Sequence, residues 1–182
     1  MTVETSKQAA ARLEERTRDA AGIRDFAFDM DVNINLKPEA VACATCLSAA
    51  EILEHISEVA ASVYALDQMA ILEGLEEREK LGSTGFGRAV AIPHCRSTQV
   101  RRPSLVVLVL DKPVDFRAAD GVPINLAFGL VSPENAGATH LHALAAISRL
   151  ARDEKRLSAL RDAPDTEALY AVLDNQFLRD AA

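Results

Sequence analysis

From Asp31 onward the chain alternates between helical stripes and apolar runs. Val32, Ile34 and Leu36 alternate with polar neighbours, the spacing of a short strand or an extended lead-in. Ser48 with Glu51 three residues later is a capping-box signature. Ile52, Ile56, Val59 and Val63 then recur at i, i+4, i+7 and i+11, which predicts a helix laying one face on a core. Asp67 caps a second helix that reaches Lys80, with Gly82 placed to end it. Residues 105–110 are continuously apolar and β-branched, the pattern of a strand covered on both faces. Residues 124–131 repeat that pattern after the turn signal Asp120-Gly-Val-Pro. Thr139 caps a helix to about Ala151, and further helical stretches follow near residues 153–161 and 165–177. Helices before, between and after buried strands predict an α/β fold, a sheet with helices on its faces.

Residues 1–30 read differently. Residues 7–21 are rich in Ala, Glu and Arg, a good helix composition, but the apolar face offers little beyond Ala9, Leu13 and Ala20. Gly22 closes it. The pattern predicts an N-terminal extension that is partly helical or mobile, or that supplies a contact to a partner or to a second copy in a homodimer.

Composition narrows the class. The 182 residues, 49% of them hydrophobic, suffice for one well-buried domain with or without an appendage. A net charge of −7 argues against a nucleic-acid-binding surface. No segment approaches the ~18 consecutive apolar residues of a membrane-spanning helix, and the first residues lack the basic-then-apolar layout of a secretory signal. Three cysteines, Cys43, Cys46 and Cys95, do not make a disulfide scaffold in a chain of this length. These features predict a soluble cytoplasmic protein with neither nucleic acid nor membrane as partner.

The chemistry concentrates in residues 82–94, GSTGFGRAVAIPH. The glycines allow positive φ and can turn successive N–H groups toward one point, as an anion-binding nest requires. Residues 89–92 are β-compatible, and Pro93 fixes φ and cannot donate to a sheet ladder. His94 is therefore expected where a strand is forced to stop. A histidine beside a phosphate-sized cluster of donors suggests a phosphorylatable imidazole.

Helical rows sort the remaining candidates. His140 shares a row with Leu144, Ile147 and Ala151 and should face the domain; His142 shares one with Ala146, Arg149 and Asp153 and should face water. Arg78 ends the row of Ile71 and Leu75, just before the glycine loop, where an inward arginine can meet an anion. His55 lies with Glu58 and Ser62 on a polar row and reads as surface. Each candidate has a structural alternative. His94 can be a strand-end histidine bonded to backbone, His140 a satisfied core histidine, and Arg78 a complement to the helix dipole, an effect of about 0.3–1 kcal/mol.

Other motifs fit less well. The glycine loop lacks the Lys and following Ser/Thr of a nucleotide phosphate loop and leads into a strand instead of a helix. Cys43 and Cys46 have CxxC spacing, but no second cysteine pair completes a metal site. No nucleophile elbow is present.

Residues 78–87 with Ala91-Ile-Pro-His94 closely resemble the signature of the fructose/mannitol-type IIA domains of the phosphoenolpyruvate-dependent phosphotransferase system. Pro133 and residues 139–144 look like that family's second block, and the resemblance is nearest to the nitrogen-regulatory branch. It covers about residues 31–178, leaving 1–30 as an extension and 179–182 as a tail. It implies a mixed β-sheet flanked by helices on both faces, in a single domain. It further implies that His94 accepts a phosphoryl group, that His140 is the second active-site histidine and that Arg78 stands at the phosphoryl site. Ser83, Thr84 and Gly85 would supply the phosphate-binding wall. The implied donor is the phosphohistidine of an HPr-like carrier, attacked by neutral imidazole in a phosphoryl transfer that needs no metal or cofactor. Downstream partners would be either regulatory protein targets or, in sugar uptake, a IIB component. The absence of a fused membrane or IIB-like segment leans toward regulation. Cys95-Arg96 and Arg88-Ala89 depart from the family pattern, as do the extension and the Cys43/Cys46 pair. Cys95, next to the acceptor, is either oxidation-sensitive or a bystander.

Overall fold

The apolar runs at 105–110 and 124–131 become the two long strands at the centre of a sheet. The computed structural model describes residues 33–179. The expected extension over residues 1–30 and Val32 of the lead-in lie outside them, as do the last three residues of the tail. Strands β5 (Ser104–Val114) and β6 (Ile124–Pro133) pair antiparallel, and β1 (Val41–Ala44) joins β5 in parallel. The far edge of β6 carries two short strands in succession, β3 (Val90–Ala91) and β4 (His94–Ser97), both parallel to it. β2 (Gly85–Gly87) pairs antiparallel with β3. The sheet is therefore mixed, as the resemblance implied. Ile34 and Leu36 form an extended lead-in, half-buried on the core, with a single bridge from Asn35 to Ser104.

The strand expected over residues 89–92 does not end at His94. β3 stops at Ala91 and the chain resumes pairing with β6 as β4, starting at His94. Pro93 marks the break because it has no N–H for the ladder. Its carbonyl still accepts from Leu130 N–H, while the Ile92 N–H turns away to Thr84 O. One β-strand is thus split, and the imidazole projects from the start of its second half.

Alternation along the buried strands explains their unbroken apolar sequence. Val106, Leu108 and Leu110 of β5 with Ala127 and Val131 of β6 meet α1 (Ala49–Tyr64) and α2 (Gln68–Lys80) through Ile52, Ile56, Ile71 and Leu75. Leu105 and Val107 with Leu126, Phe128 and Leu130 face the opposite way. They are covered by α3 (Ala138–Arg152), α4 (Glu154–Arg161) and α5 (Thr166–Arg179) through residues such as Ala143, Ile147, Leu157 and Leu169. Helices therefore lie on both faces, which is why residues 105–110 of β5 and 126–131 of β6 carry no polar side chain. Contact on the α1 face is close: a Cβ placed on Gly129 would stand 2.3 Å from Ile56 Cγ2.

The helix starts follow the sequence in two cases of three. Ser48 Oγ accepts from Glu51 N–H, and the Glu51 carboxylate reaches back to Leu47 N–H. Asp67 accepts from Ala70 N–H. Thr139 does not cap α3. The turn after β6 brings Gly137 to φ +47, so the helix begins at Ala138 and Thr139 lies within its first turn, its N–H bonded to Ala136 O.

Candidate functional site

Arg78 sits in the last turn of α2, on the row whose buried members Ile71 and Leu75 are 1% exposed. That row fixes its direction, and its guanidinium reaches the edge of the sheet at β4. The Arg78 Nε–H donates to His94 Nε2 across 3.0 Å, and Nη1 donates to the Gly82 carbonyl across 2.9 Å. On the other side of the ring, His94 Nδ1 lies 2.8 Å from the Ile92 carbonyl. A carbonyl only accepts, so Nδ1 carries the proton; Nε2 then holds the lone pair that takes the Arg78 N–H. Both contacts demand the same tautomer.

The parallel register places His94 opposite Leu130 and Arg96 opposite Ser132. Because α3 follows β6 directly and returns over this face, its first turn delivers His140 beside them. The two imidazole centroids are 5.5 Å apart with planes tilted by 50°. His140 is 6% exposed, and its Nδ1 lies 2.9 Å from Ser132 Oγ. A cleft of about 720 Å3 opens here, lined by Arg78, Leu81, His94, Arg96 and His140 among others.

Burial and neighbouring positive charge both favour neutral imidazoles. Burial lowers the His94 pKa from its ordinary value; the Arg78 charge acts the same way, against the Ile92 hydrogen bond. His140 is pushed down to about 4, chiefly by burial and further by His94 and Arg96. At neutral pH the site therefore presents one uncharged ring with a lone pair, a second uncharged ring, and the permanent charges of Arg78 and Arg96. That combination suits a nucleophile that receives an anionic group.

The glycine loop is arranged differently from the expected nest. Thr84 directs both its N–H and its hydroxyl to the Glu79 carboxylate, the hydroxyl at 2.5 Å. Ser83 donates to the Phe116 carbonyl and accepts the Gly85 N–H. These donors are taken by Glu79 of α2 and by Phe116, and Ser83 opens onto a separate cleft with Phe116 and Arg117. Gly82, at φ +145 and with its N–H bonded to Glu79 O, makes the turn out of α2 that leads into Thr84. The positive group the structure brings to His94 is Arg78 alone among the three contacts described for its ring.

The other candidates separate cleanly. His142 is half-exposed and absent from the lining of the His94 cleft, although its row partner Ala146 is buried. His55 pairs with Glu58 at 3.4 Å on the surface of α1. Cys43 is exposed and Cys46 buried, both as free thiols, and no group of three or more His, Cys, Asp or Glu among the described residues is arranged to hold a metal. Cys95 packs against Gly74 in the wall of the same cleft, its Cβ 3.1 Å from where a Gly74 Cβ would stand, and burial raises its thiol pKa to about 12. No helix among the described residues is long and apolar enough to cross a membrane. Sequence reasoning missed Glu79 and Ser132. The available signal for the latter was a lone hydroxyl within an otherwise apolar buried strand, eight residues before a histidine.

Residues 35–176 match the family described as the phosphoenolpyruvate-dependent sugar phosphotransferase system, EIIA 2. The nitrogen regulatory protein of Bradyrhizobium diazoefficiens is 39% identical over 145 residues, 79% of this chain and 95% of that protein. That of Pseudomonas aeruginosa is 46% identical over 123 residues, 67% of this chain and 80% of its own length. Among solved structures, nitrogen regulatory protein IIA-Ntr from Neisseria meningitidis superposes with a TM-score of 0.71 at 31% identity, covering 76% of this chain and 95% of that one. A mixed sheet between two helical layers, a neutral histidine held against an arginine, and these matches agree: the chain belongs to the EIIA 2 family of the phosphoenolpyruvate-dependent sugar phosphotransferase system, among relatives of the nitrogen-regulatory type.

Proposed function

We propose that His94 accepts a phosphoryl group from the phosphohistidine of an HPr-like carrier, and that the protein acts mainly as a cytoplasmic regulatory phosphoprotein. The observation that carries this reading is the double anchoring of one tautomer. Ile92 O holds the Nδ1 proton and leaves the Nε2 lone pair beside the Arg78 guanidinium. In the transfer, that lone pair forms the new N–P bond. The N–P bond of the carrier breaks, and its electron pair returns to the carrier imidazole. The transferring group carries negative charge and needs electrostatic stabilisation more than covalent help. Arg78 supplies it by exchanging its bond to Nε2 for bonds to phosphoryl oxygens, and His140 lines the same cleft.

Phosphorylation adds about 1.5–2 negative charges, by analogy with other phosphorylated side chains. Placed in a cleft rimmed by Arg96 and the exposed Leu81, 85% exposed, that change alters the surface a partner would meet. The regulatory reading is favoured over a relay to a IIB component by the 39% and 46% identities to nitrogen regulatory proteins. The IIA-type domain is assigned to residues 31–178, with residues 1–30 as an extension.

The test is label transfer from phosphoenolpyruvate through a phosphohistidine carrier. Wild-type protein should take up label and His94→Ala should not; equal incorporation by both overturns the assignment. His140→Ala should accept phosphate yet pass it on poorly. A pull-down comparing phosphorylated and unphosphorylated protein then separates a regulator from a relay.

A further inference from the structure

Ser132 is out of place for its position in the sheet. It lies near the end of β6, a strand otherwise apolar from Leu126 to Val131 apart from Gly129, and it is 0% exposed. A hydroxyl taken from water to that depth is destabilising unless it is hydrogen-bonded. Its one hydrogen bond among the described residues runs to His140 Nδ1, at 2.9 Å.

That contact fixes the direction of the bond by elimination. A serine hydroxyl has a single proton to donate. If His140 Nδ1 were the donor, the Ser132 proton would need another acceptor, and the described residues provide none. Buried donors are almost always satisfied. The arrangement that satisfies both groups has the Ser132 hydroxyl donating to a bare Nδ1. His140 is neutral in this setting, so its one ring proton then sits on Nε2. Eight residues separate Ser132 from His140 in sequence, but the β6-to-α3 turn stacks them on the face that also carries His94 and Arg96.

We infer that Ser132 is a positioning residue: by donating to Nδ1 of His140 it fixes that ring as the Nε2–H tautomer and supplies the cleft with a neutral hydrogen-bond donor for a phosphoryl group on His94. The inference rests on the proposed role of His94. It adds a division of labour between the two imidazoles, which are locked in opposite tautomers. His94 is protonated on Nδ1 by a carbonyl that can only accept; His140 is left bare on Nδ1 by a hydroxyl that must donate. One ring is thereby a nucleophile and the other a donor, although both are uncharged histidines 5.5 Å apart.

The test is long-range 1H–15N NMR of the imidazole nitrogens of the full-length unphosphorylated protein, joined to transfer kinetics. In the wild type, His140 should show a bare Nδ1 and a protonated Nε2. An Nδ1–H tautomer there overturns the inference without any variant being made. In Ser132→Ala the two His140 nitrogens should move toward tautomer averaging, and phosphoryl transfer should slow roughly five- to tenfold, the scale of one neutral hydrogen bond. Ser132→Thr, which keeps the hydroxyl, should restore both readouts. In a His140→Ala background, Ser132→Ala should have no further effect on transfer. Unchanged transfer in the single variant, or an additive loss in the double, also overturns it. Wild-type protein that takes no label on His94 would sink the proposed function and leave the tautomer result standing, so the two failures are distinguishable.

Discussion

The Nε–H of Arg78 rests on the very nitrogen of His94 that is free to react, 3.0 Å away. In the proposed transfer the resting arginine therefore occupies the position of the incoming phosphorus and shifts as the bond forms. Its second bond, from Nη1 to the Gly82 carbonyl, keeps the guanidinium close while it does so. Arg78→Lys retains the charge but loses the planar fork that can hold two groups at once. Phosphoryl acceptance should fall about tenfold or more in Arg78→Lys and further in Arg78→Ala, measured as the initial rate of label uptake. A lysine variant as fast as wild type would show that charge alone suffices.

Stability should fall on acidification through the site. His140 has a pKa of about 4 in the fold against 6.5 ordinarily. Between those values the unfolded chain binds a proton that the folded chain does not, so stability rises with pH across this window. The contribution is fully present above about 6.5 and is lost as pH falls toward 4, a change on the order of 2–3 kcal/mol. His94 acts in the same direction. Urea denaturation at several pH values should show a shallower acid loss in His140→Gln than in wild type. Parallel curves would contradict the depressed value.

The turn between β2 and β3 carries backbone strain that one substitution can relieve. Gly87 pairs with Val90, which leaves Arg88 and Ala89 as a two-residue turn with φ of +57 and +58. Such a turn favours Asn-Gly, since a Cβ is disfavoured at positive φ. Ala89→Gly should stabilise the protein by about 1 kcal/mol, raising the melting temperature by roughly 2–4 °C at this size. The Arg88 N–H bond to Asp120 is left intact by that change.

Gly129 is required for a different reason. Ile56 of α1 sits where a side chain at 129 would have to go. Gly129→Ala should destabilise by about 2–3 kcal/mol through overpacking, and Ile56→Val should partly rescue it. Thermal melts of the two single variants and the double give the coupling directly.

The three thiols should differ in reactivity with a disulfide reagent at neutral pH. Cys43 is exposed and should react first. Cys46 and Cys95 should react only on unfolding, because burial raises both thiol pKa values, that of Cys95 to about 12. Rapid modification of Cys95 in the folded protein would contradict its placement against Gly74.

Much of this architecture could be read from periodicity. The stripe from Ile52, the cap at Asp67 and the two apolar runs became α1, α2, β5 and β6, because each is decided by burial on a face that the residues themselves define. The short strands were not legible: Val41–Ala44 and His94–Ser97 exist only because β5 and β6 offer edges to pair with. The helical rows also aimed Arg78 and His140 inward. The loop was harder, since nothing local to residues 82–85 says that Glu79 will take the Thr84 donors or that Phe116 will take the Ser83 hydroxyl. Ser132 showed only as a lone hydroxyl in an apolar run, because its meaning depends on a residue in the next element.

The split strand has a consequence for biosynthesis. His94 is held on β6, and its companion ring comes from the helix after β6, so a nascent chain halted anywhere before residue 140 has the histidine and the arginine but not the cluster. During translation the His94 cluster stays incomplete until the first turn of α3 has been made, and a truncated product that kept residues 78–94 would carry the same motif without His140 beside it.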